Sequence, residues 1–173
     1  EQVVKPDNPT RSDYIFVGWY RDILYTDDWN FDIDRVTADM TLYARWAALD
    51  QQMIATSLSL YTFNGTYAQT FTAGMTGKLY RVSCYLGNYN TEITLTTQIQ
   101  GVTAGDLPNG TVLAGRSVNL LAWQGRWVSI NLEEPLSITA GQRYAIVWSG
   151  LNSQCLLYGS LSDTYADGRA LMM

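Results

Sequence analysis

The sequence contains no histidine. Histidine is the side chain that most often acts as a general base near neutral pH, and it is the commonest zinc ligand. A Ser-His-Asp triad and a Cys-His pair are therefore both excluded. Any acid-base chemistry would rest on carboxylates, and a hydrolase of that kind needs two of them held at a defined separation.

Cysteine is scarce as well, since Cys84 and Cys155 are the two in the chain. Two cysteines are too few for a disulfide scaffold, and their spacing matches no metal-binding motif. They are interpreted either as one disulfide bridge or as two buried thiols. Cys84 alternates with Val82 and Leu86, which is typical of a core position, so buried thiols are favoured.

Basic residues are few: the chain has 11 Lys and Arg against 16 Asp and Glu, a net charge of −5. The imbalance lies in residues 1–50, which hold five basic and ten acidic residues, whereas residues 51–173 hold six of each. Binding to nucleic acid needs clustered Lys and Arg to neutralise phosphates. The sequence therefore excludes a nucleic-acid partner.

Long apolar runs are missing too. No stretch approaches the length that a membrane-spanning helix needs, and no signal peptide or sorting tail is visible. We therefore expect no membrane insertion. Because the chain begins and ends within patterned sequence, at Glu1-Gln2-Val3-Val4 and Leu171-Met172-Met173, we expect it to be a piece of a longer protein.

What the chain does have is aromatic and polar uncharged residues, including 12 Tyr and 6 Trp in 173 residues. Thr, Ser, Asn and Gln stand where a helical cytosolic protein carries Lys and Glu. No segment shows a helical period, and many alternate with the period of a strand. The sequence predicts an all-β or β-rich protein, and the length favours two small domains.

Two aromatic strands are predicted at residues 14–20 and 41–46, with Gly18 marking a bulge or the close approach of another side chain. Between them lies a loop rich in carboxylates. Those side chains are interpreted either as a calcium site or, with more support from their spacing, as caps of turns in a solvated loop. The carboxylates are Asp22, Asp27, Asp28, Asp32, Asp34 and Asp39.

This part of the chain resembles the Listeria-Bacteroides repeat, the B-repeat of internalin-type surface proteins. The resemblance spans about residues 3–46. It implies a small β-grasp-like module of a bacterial surface or secreted protein, used as a spacer or an adhesion element, and we place this domain at residues 1–48. The matching segments are Pro9-Thr10-Arg11-Ser12-Asp13-Tyr14-Ile15-Phe16-Val17-Gly18-Trp19-Tyr20, Trp29-Asn30-Phe31-Asp32 and Val36-Thr37-Ala38-Asp39-Met40-Thr41-Leu42-Tyr43-Ala44-Arg45-Trp46.

From residue 52 to residue 173 the pattern predicts an antiparallel β-sandwich, with strand following strand at short intervals. The cleanest alternation places Ile93, Leu95, Thr97 and Ile99 inside. Further strands are predicted at residues 54–63, 67–71, 79–86, 111–121, 127–132, 143–149 and 154–158. Turns are predicted at residues 73–77, 87–90 and 135–141.

The second domain resembles a jelly-roll sandwich similar in outline to carbohydrate-binding modules. The residues that carry this resemblance occupy turns and core positions, so they favour the fold more than any ligand. They are Gln69-Thr70-Phe71-Thr72-Ala73-Gly74, Asp106-Leu107-Pro108-Asn109-Gly110-Thr111-Val112-Leu113-Ala114, Trp127-Val128-Ser129-Ile130, Leu136-Ser137-Ile138-Thr139-Ala140-Gly141-Gln142-Arg143-Tyr144-Ala145-Ile146-Val147 and Tyr165-Ala166-Asp167-Gly168-Arg169-Ala170.

Sugar-binding sites pair an apolar aromatic face with a few polar groups. Trp123 is the strongest candidate because it is predicted to lie in a loop, where no strand pattern requires an indole; the alternative is that it covers one end of the sandwich. The candidate ligand-binding residues are Trp123, Gln124, Arg126, Trp127, Tyr85 and Tyr89, with Asn88 beside Tyr85 and with Tyr158 and Tyr165 as a further pair.

Catalysis is not expected, because the adjacent Glu133 and Glu134 precede Pro135 in a predicted turn and no tuned partner is visible. No cofactor is expected, although a structural calcium ion at Asp106, Asp163 or Asp167 remains an alternative. We predict a non-catalytic module of an extracellular bacterial surface or secreted protein that binds a glycan or a host or matrix protein. The alternatives are a structural stalk and an accessory module of a secreted glycoside hydrolase.

Overall fold

The fold is described from a computed structural model, which covers residues 1–12, 14–50, 58–61, 65–88, 92–153, 155–159 and 170–172. The chain divides into two compact units, Glu1–Asp50 and Gln51–Met173. The described residues form strands and loops with no helix, so they include no helix long and apolar enough to cross a membrane. The predicted all-β class is confirmed.

The strands are β1 Tyr14–Tyr20, β2 Tyr43–Ala48, β3 Leu58–Tyr61, β4 Tyr67–Thr72, β5 Gly77–Asn88, β6 Ile93–Val102, β7 Pro108–Leu120, β8 Trp123–Ile138, β9 Arg143–Ser149, β10 Cys155–Gly159 and β11 Ala170–Met172. Strands β1 and β2 form an antiparallel two-stranded sheet in the first unit. The second unit has a four-stranded sheet in the order β3-β10-β5-β8 and a five-stranded sheet in the order β11-β4-β9-β6-β7.

In the first unit, β1 carries a bulge that changes which residues share a face. Phe16 pairs with Trp46, but the next paired residue is Gly18, opposite Arg45, so Val17 is the extra residue. Of the two alternatives predicted at Gly18, a bulge or a close approach, the structure shows a bulge, at the residue before the glycine. Regular alternation through residues 14–20 predicts Phe16 and Trp19 on opposite faces. That prediction is wrong, because Phe16 contacts both Trp19 and Trp46 edge to face, with ring centroids 5.4 and 5.6 Å away. The larger β-grasp sheet that the resemblance implies stays a prediction.

The second unit is a sandwich because residues from both of its sheets share one core. Side chains of β4, β6 and β9 on one sheet and of β5, β8 and β10 on the other belong to the same buried cluster. The predicted alternation is confirmed in β6, where Ile93, Leu95, Thr97 and Ile99 are buried. It is confirmed again in β8, where Val128, Ile130 and Leu132 are buried and Trp127, Ser129 and Asn131 are exposed. The jelly-roll connection stays a prediction.

The outer face of the five-stranded sheet is also buried at its centre. Ala68 of β4 with Ala145 and Val147 of β9 form a second small apolar cluster, on the face opposite the core. The β6–β7 loop folds over this face: Asp106 accepts a hydrogen bond from the Thr70 hydroxyl at 3.1 Å and pairs with Arg143 at 2.8 Å. Antiparallel strands commonly have one face in solvent, but β9 has apolar residues buried on both faces because this loop covers the second one.

Three predicted loops differ from the structure, one in kind and two in where they begin. Trp123 is the first residue of β8 and pairs with Asn88, so it lies in a strand and not in a loop. The predicted turn at residues 87–90 begins too early, because β5 continues to Asn88. The segment from Pro135 to Ile138 belongs to β8. Asn131 pairs with Arg81 and Leu136 pairs with Leu79, so a bulge places the four residues 132–135 opposite the single residue Tyr80. A bulge adds unpaired residues to a strand without ending it, and sequence alternation cannot distinguish it from a turn.

The two cysteines are buried and free, which confirms the favoured interpretation. Cys155 pairs with Asn88 of β5, four residues along that strand from Cys84. At about 3.3 Å a residue the two Cα atoms are roughly 13 Å apart, and a disulfide needs less than about 7 Å. Burial raises the pKa of the Cys84 thiol to about 12. Burial also raises the pKa of Cys155, against a hydrogen bond from Asn152 that lowers it.

We expect Cys84 to make the sandwich less stable at alkaline pH. The thiol has an ordinary pKa of 9.0 in the unfolded chain and a higher one when folded. The contribution of this thiol to the free energy of unfolding is therefore fully present below pH 9. Above that pH it is lost by about 1.4 kcal/mol per pH unit. The free energy of unfolding in urea should be measured for the natural chain and for Cys84→Ala from about pH 9 to roughly pH 10.5. Over that range it should fall by about 2 kcal/mol more for the natural chain. Parallel pH curves for the two proteins would contradict this.

Candidate functional site

Three aromatic side chains from three neighbouring strands lie together on the outer face of the four-stranded sheet. Tyr85 of β5 is directly opposite Trp127 of β8, and their rings meet edge to face at 5.7 Å. Tyr158 of β10 contacts Tyr85 from the other side at 4.9 Å, again edge to face. We call these three residues the aromatic strip. It faces away from the core because the alternate positions Cys84, Leu86 and Val128 are buried in the core.

The middle ring of the strip is fixed by the backbone of β8. The Tyr85 hydroxyl donates a hydrogen bond to the carbonyl oxygen of Gly125 at 2.9 Å. A Cβ atom at Gly125 would lie 2.8 Å from Cε1 of Tyr85, so the ring packs where only glycine leaves room. Trp127 is 47% exposed while Tyr85 is half-buried. The strip therefore consists of a fixed tyrosine that supports an accessible indole.

Beside the strip, the same face becomes polar. Ser83 pairs with Ser129, and their hydroxyls are 2.9 Å apart. In the next pair on this face, Arg81 Nε donates a hydrogen bond to Asn131 Oδ1 at 2.7 Å. Successive residues on one face of a strand are about 7 Å apart. The hydroxyl, amide and guanidinium groups therefore lie at distances from a few ångströms to about 15 Å from the indole. This arrangement can stack against a flat apolar surface and hydrogen-bond to hydroxyl groups around it.

Gly125→Ala is expected to disturb the strip without unfolding the sandwich. The new methyl group would push the Tyr85 ring away and break its hydrogen bond to residue 125, which contributes about 1 kcal/mol. Near-UV circular dichroism should lose part of the aromatic signal, while the free energy of unfolding falls by about 1–2 kcal/mol. Tyr85→Phe is the matched control, since it removes the hydrogen bond but leaves the ring in place. An unchanged aromatic signal in Gly125→Ala would contradict this packing.

Of the predicted ligand-binding residues, the structure brings Tyr85 and Trp127 together. Arg126 is exposed but pairs with Leu86, so its strand position belongs to the opposite face from Trp127. The backbone of Trp123 and Gln124 lies in β8, but their side chains are outside the described part of the chain. Tyr89 is outside the described residues altogether, as is Tyr165.

Sequence reasoning missed how these residues combine. Tyr158 was paired with Tyr165, whereas the structure places it against Tyr85. That contact depends on β10 pairing with β5, which no local pattern reveals. The positions of Ser83 and Ser129 could have been found, because each lies two residues from a strip aromatic and must share its face.

The possible metal ligands are only partly described. Among the described residues, no group of three or more His, Cys, Asp or Glu side chains could hold a metal ion. Asp106 uses one carboxylate oxygen for Thr70 and Arg143, while its other oxygen is buried with no hydrogen-bond partner in the described structure. Asp163 and Asp167 are outside the described residues. The structural calcium ion therefore stays an untested alternative to the expectation of no cofactor.

Comparison with known proteins bears on the first unit, Glu1–Asp50, which holds the aromatic hairpin and the acidic turns. Residues 1–45 match the Listeria-Bacteroides repeat domain. The repeat is a module of surface proteins, and its match ends before the sandwich begins. No solved structure matches the chain.

Two curated relatives of the repeat come from Evansella cellulosilytica. One, named "Putative membrane protein", is 40% identical over 45 residues, which is 26% of this chain and 7% of that protein. The other, named "Putative Gly-rich membrane protein", is 46% identical over 44 residues, which is 25% of this chain and 5% of that protein. The similarity thus spans less than a tenth of either relative.

Proposed function

We propose that the sandwich is a non-catalytic binding module that recognises a glycan through the aromatic strip, and that the repeat spaces or presents it. The observation that carries the proposal is the exposed indole of Trp127, fixed edge to face against Tyr85 and bordered by the hydroxyls of Ser83 and Ser129. A sugar ring has one face of C–H groups that packs on an indole, and hydroxyls at its rim that need polar partners.

The proposed location rests on the first unit. The repeat family and the membrane-protein names of the two relatives support a place on the outside of a bacterial cell, either on its surface or secreted from it. Glycans are abundant there. A module held by a spacer on that side of the membrane would meet polysaccharides or glycosylated proteins of a host or matrix.

A single exposed indole supports weak binding. Burying an aromatic side chain against an apolar surface contributes about 2–3 kcal/mol, and part of that offsets the entropy lost on association. We expect a dissociation constant of about 1 mM or weaker for one copy of the module. Several copies on one surface would bind a repetitive polysaccharide much more tightly.

A glycan array tests the proposal, with the whole chain applied once with calcium and once with chelator. Binding to the glycans that the natural chain recognises should be lost or strongly reduced in Trp127→Ala. A loss of binding in chelator would show that a metal ion takes part in the site. If the folded natural chain binds no glycan, the glycan proposal is wrong, and the structural stalk becomes the better account of the sandwich.

A further inference from the structure

Two turns of the first unit expose aliphatic side chains that its fold does not use. Ile23 is 67% exposed and Leu24 is 79% exposed, side by side in the loop after β1. Ile33, in the next turn, is 72% exposed. Single apolar residues on a surface are ordinary, whereas apolar residues grouped together and rimmed by polar residues mark interaction sites.

The first turn is held by Asp22. Its carboxylate accepts backbone hydrogen bonds from Leu24 at 2.8 Å, Thr26 at 3.0 Å and Asp27 at 2.8 Å. Desolvation acts to raise the pKa of Asp22, but these hydrogen bonds outweigh it, so the pKa lies below its ordinary value. The carboxylate is therefore charged at neutral pH, and it fixes the backbone on both sides of the apolar pair. This confirms the prediction that Asp residues cap turns here.

The same turn is also held by aromatic packing. Tyr25 has a left-handed backbone conformation, with φ of 58°, and its ring packs edge to face against Tyr20 at 5.5 Å. The Arg45 guanidinium lies 5.4 Å from each of these two rings. A left-handed tyrosine is strained and persists where its surroundings hold it. The strained residue anchors the turn, which leaves Ile23 and Leu24 directed at solvent.

Arg21 ties the two turns together. One of its terminal nitrogens contacts Asp27 and the other contacts Asp34, each at 2.6 Å, and its guanidinium lies 5.0 Å from the buried Trp29 ring. Asp34 in turn accepts a hydrogen bond from the backbone of Asn30 at 2.6 Å, which closes the second turn beside Ile33. Both apolar tips therefore sit on one cross-linked frame.

The frame is acidic on balance. Residues 21–35 contain five Asp and two Arg, Arg45 lies against the first turn, and Asp27, Asp28 and Asp32 are exposed. We propose that Ile23, Leu24 and Ile33 form a docking surface for a basic amphipathic segment of another protein. The apolar side of that segment would cover the three aliphatic side chains, and its Lys and Arg residues would meet the surrounding carboxylates. Such complementarity raises association rates and selects against acidic partners. This surface is independent of the proposed glycan site.

The test uses two synthetic amphipathic helices as probes, one of leucine and lysine and the other of leucine and glutamate in the same order. Each is titrated into the whole isotope-labelled chain and followed by amide chemical shifts. The lysine peptide should shift residues 22–27 and 30–34, and its affinity should fall when salt rises from about 0.05 M to about 0.5 M. The glutamate peptide should leave these amides unmoved.

The double variant Ile23→Ser with Leu24→Ser should lower the affinity for the lysine peptide by about tenfold or more, because two aliphatic side chains are removed from the contact. Leu49→Ser is the matched control, since Leu49 is also exposed but lies outside both turns. Near-UV circular dichroism should show both variants folded. Shifts confined to other surfaces, equal binding by the double variant, or equal binding of the glutamate peptide would each overturn the proposal.

Discussion

Gly150→Ala is expected to destabilise the sandwich by about 4 kcal/mol or more, which is exceptional for the addition of one methyl group. Gly150 follows β9 in the left-handed region, with φ of 81°, and a Cβ atom there would collide with the backbone carbonyl oxygen of Thr94 in β6. Backbone cannot move aside as the end of a flexible side chain can. Strands β9 and β6 would have to separate, or Leu151, which is buried in the core, would have to shift.

Gly110→Ala separates the two causes. Gly110 has nearly the same backbone conformation, with φ of 80°, but a Cβ atom there meets nothing within 4 Å. Gly110→Ala should lower the free energy of unfolding by about 1–2 kcal/mol, because it places an ordinary residue in the left-handed region. Urea unfolding of both variants measures the difference. Equal losses at the two positions would show that β6 does not press against residue 150 as the structure has it.

Trp127→Ala is expected to lower the affinity for any glycan that binds the chain by about tenfold or more. The indole is the most accessible part of the strip, and its removal takes away the apolar surface on which a sugar ring would pack. Trp127→Phe should lose less, about threefold, because a smaller aromatic face remains. Titration calorimetry with the strongest glycan from the array measures both.

The matched control for the indole is Tyr14→Ala. Tyr14 is an exposed aromatic residue of the first unit and lies outside the strip. Its removal should leave glycan affinity unchanged. If Tyr14→Ala and Trp127→Ala weaken binding equally, sugar binding is spread over exposed aromatics in general, and the strip has no special role.

Much of the fold could be read from local alternation. Strand β6 was predicted correctly because Ile93, Leu95 and Ile99 keep a strict period of two and all point into one core. The same holds for Val128 and Ile130 in β8. These strands have one face in the core and one face in solvent, and such strands alternate apolar and polar residues in the sequence.

Other parts of the fold could not be read in this way. In β1 the bulge at Val17 placed Phe16 and Trp19 on one face, against the expected alternation. In β9 the burial of Ala145 and Val147 depends on the β6–β7 loop, which Asp106 attaches to Thr70 and Arg143 from distant parts of the chain. Contacts between residues far apart in sequence leave no local signal.

The candidate site shows the same division. Tyr85 and Trp127 were each predicted as ligand-binding residues, and the structure places both in outward positions beside buried neighbours. Their contact with each other and with Tyr158 depends on the strand order β10-β5-β8, which the sequence did not reveal. Gly125 is the clearest omission. Its role depends on the close approach of a ring that lies 40 residues away in the chain.

The most direct test of the central claim is chemical-shift mapping of the whole chain with its best glycan from the array. The account predicts that the largest shifts fall on the outer face of the four-stranded sheet, at Ser83, Tyr85, Trp127, Ser129 and the indole N–H of Trp127, with Tyr158 moving in step. Shifts confined to the first unit or to the outer face of the five-stranded sheet, with the strip unmoved, would contradict it.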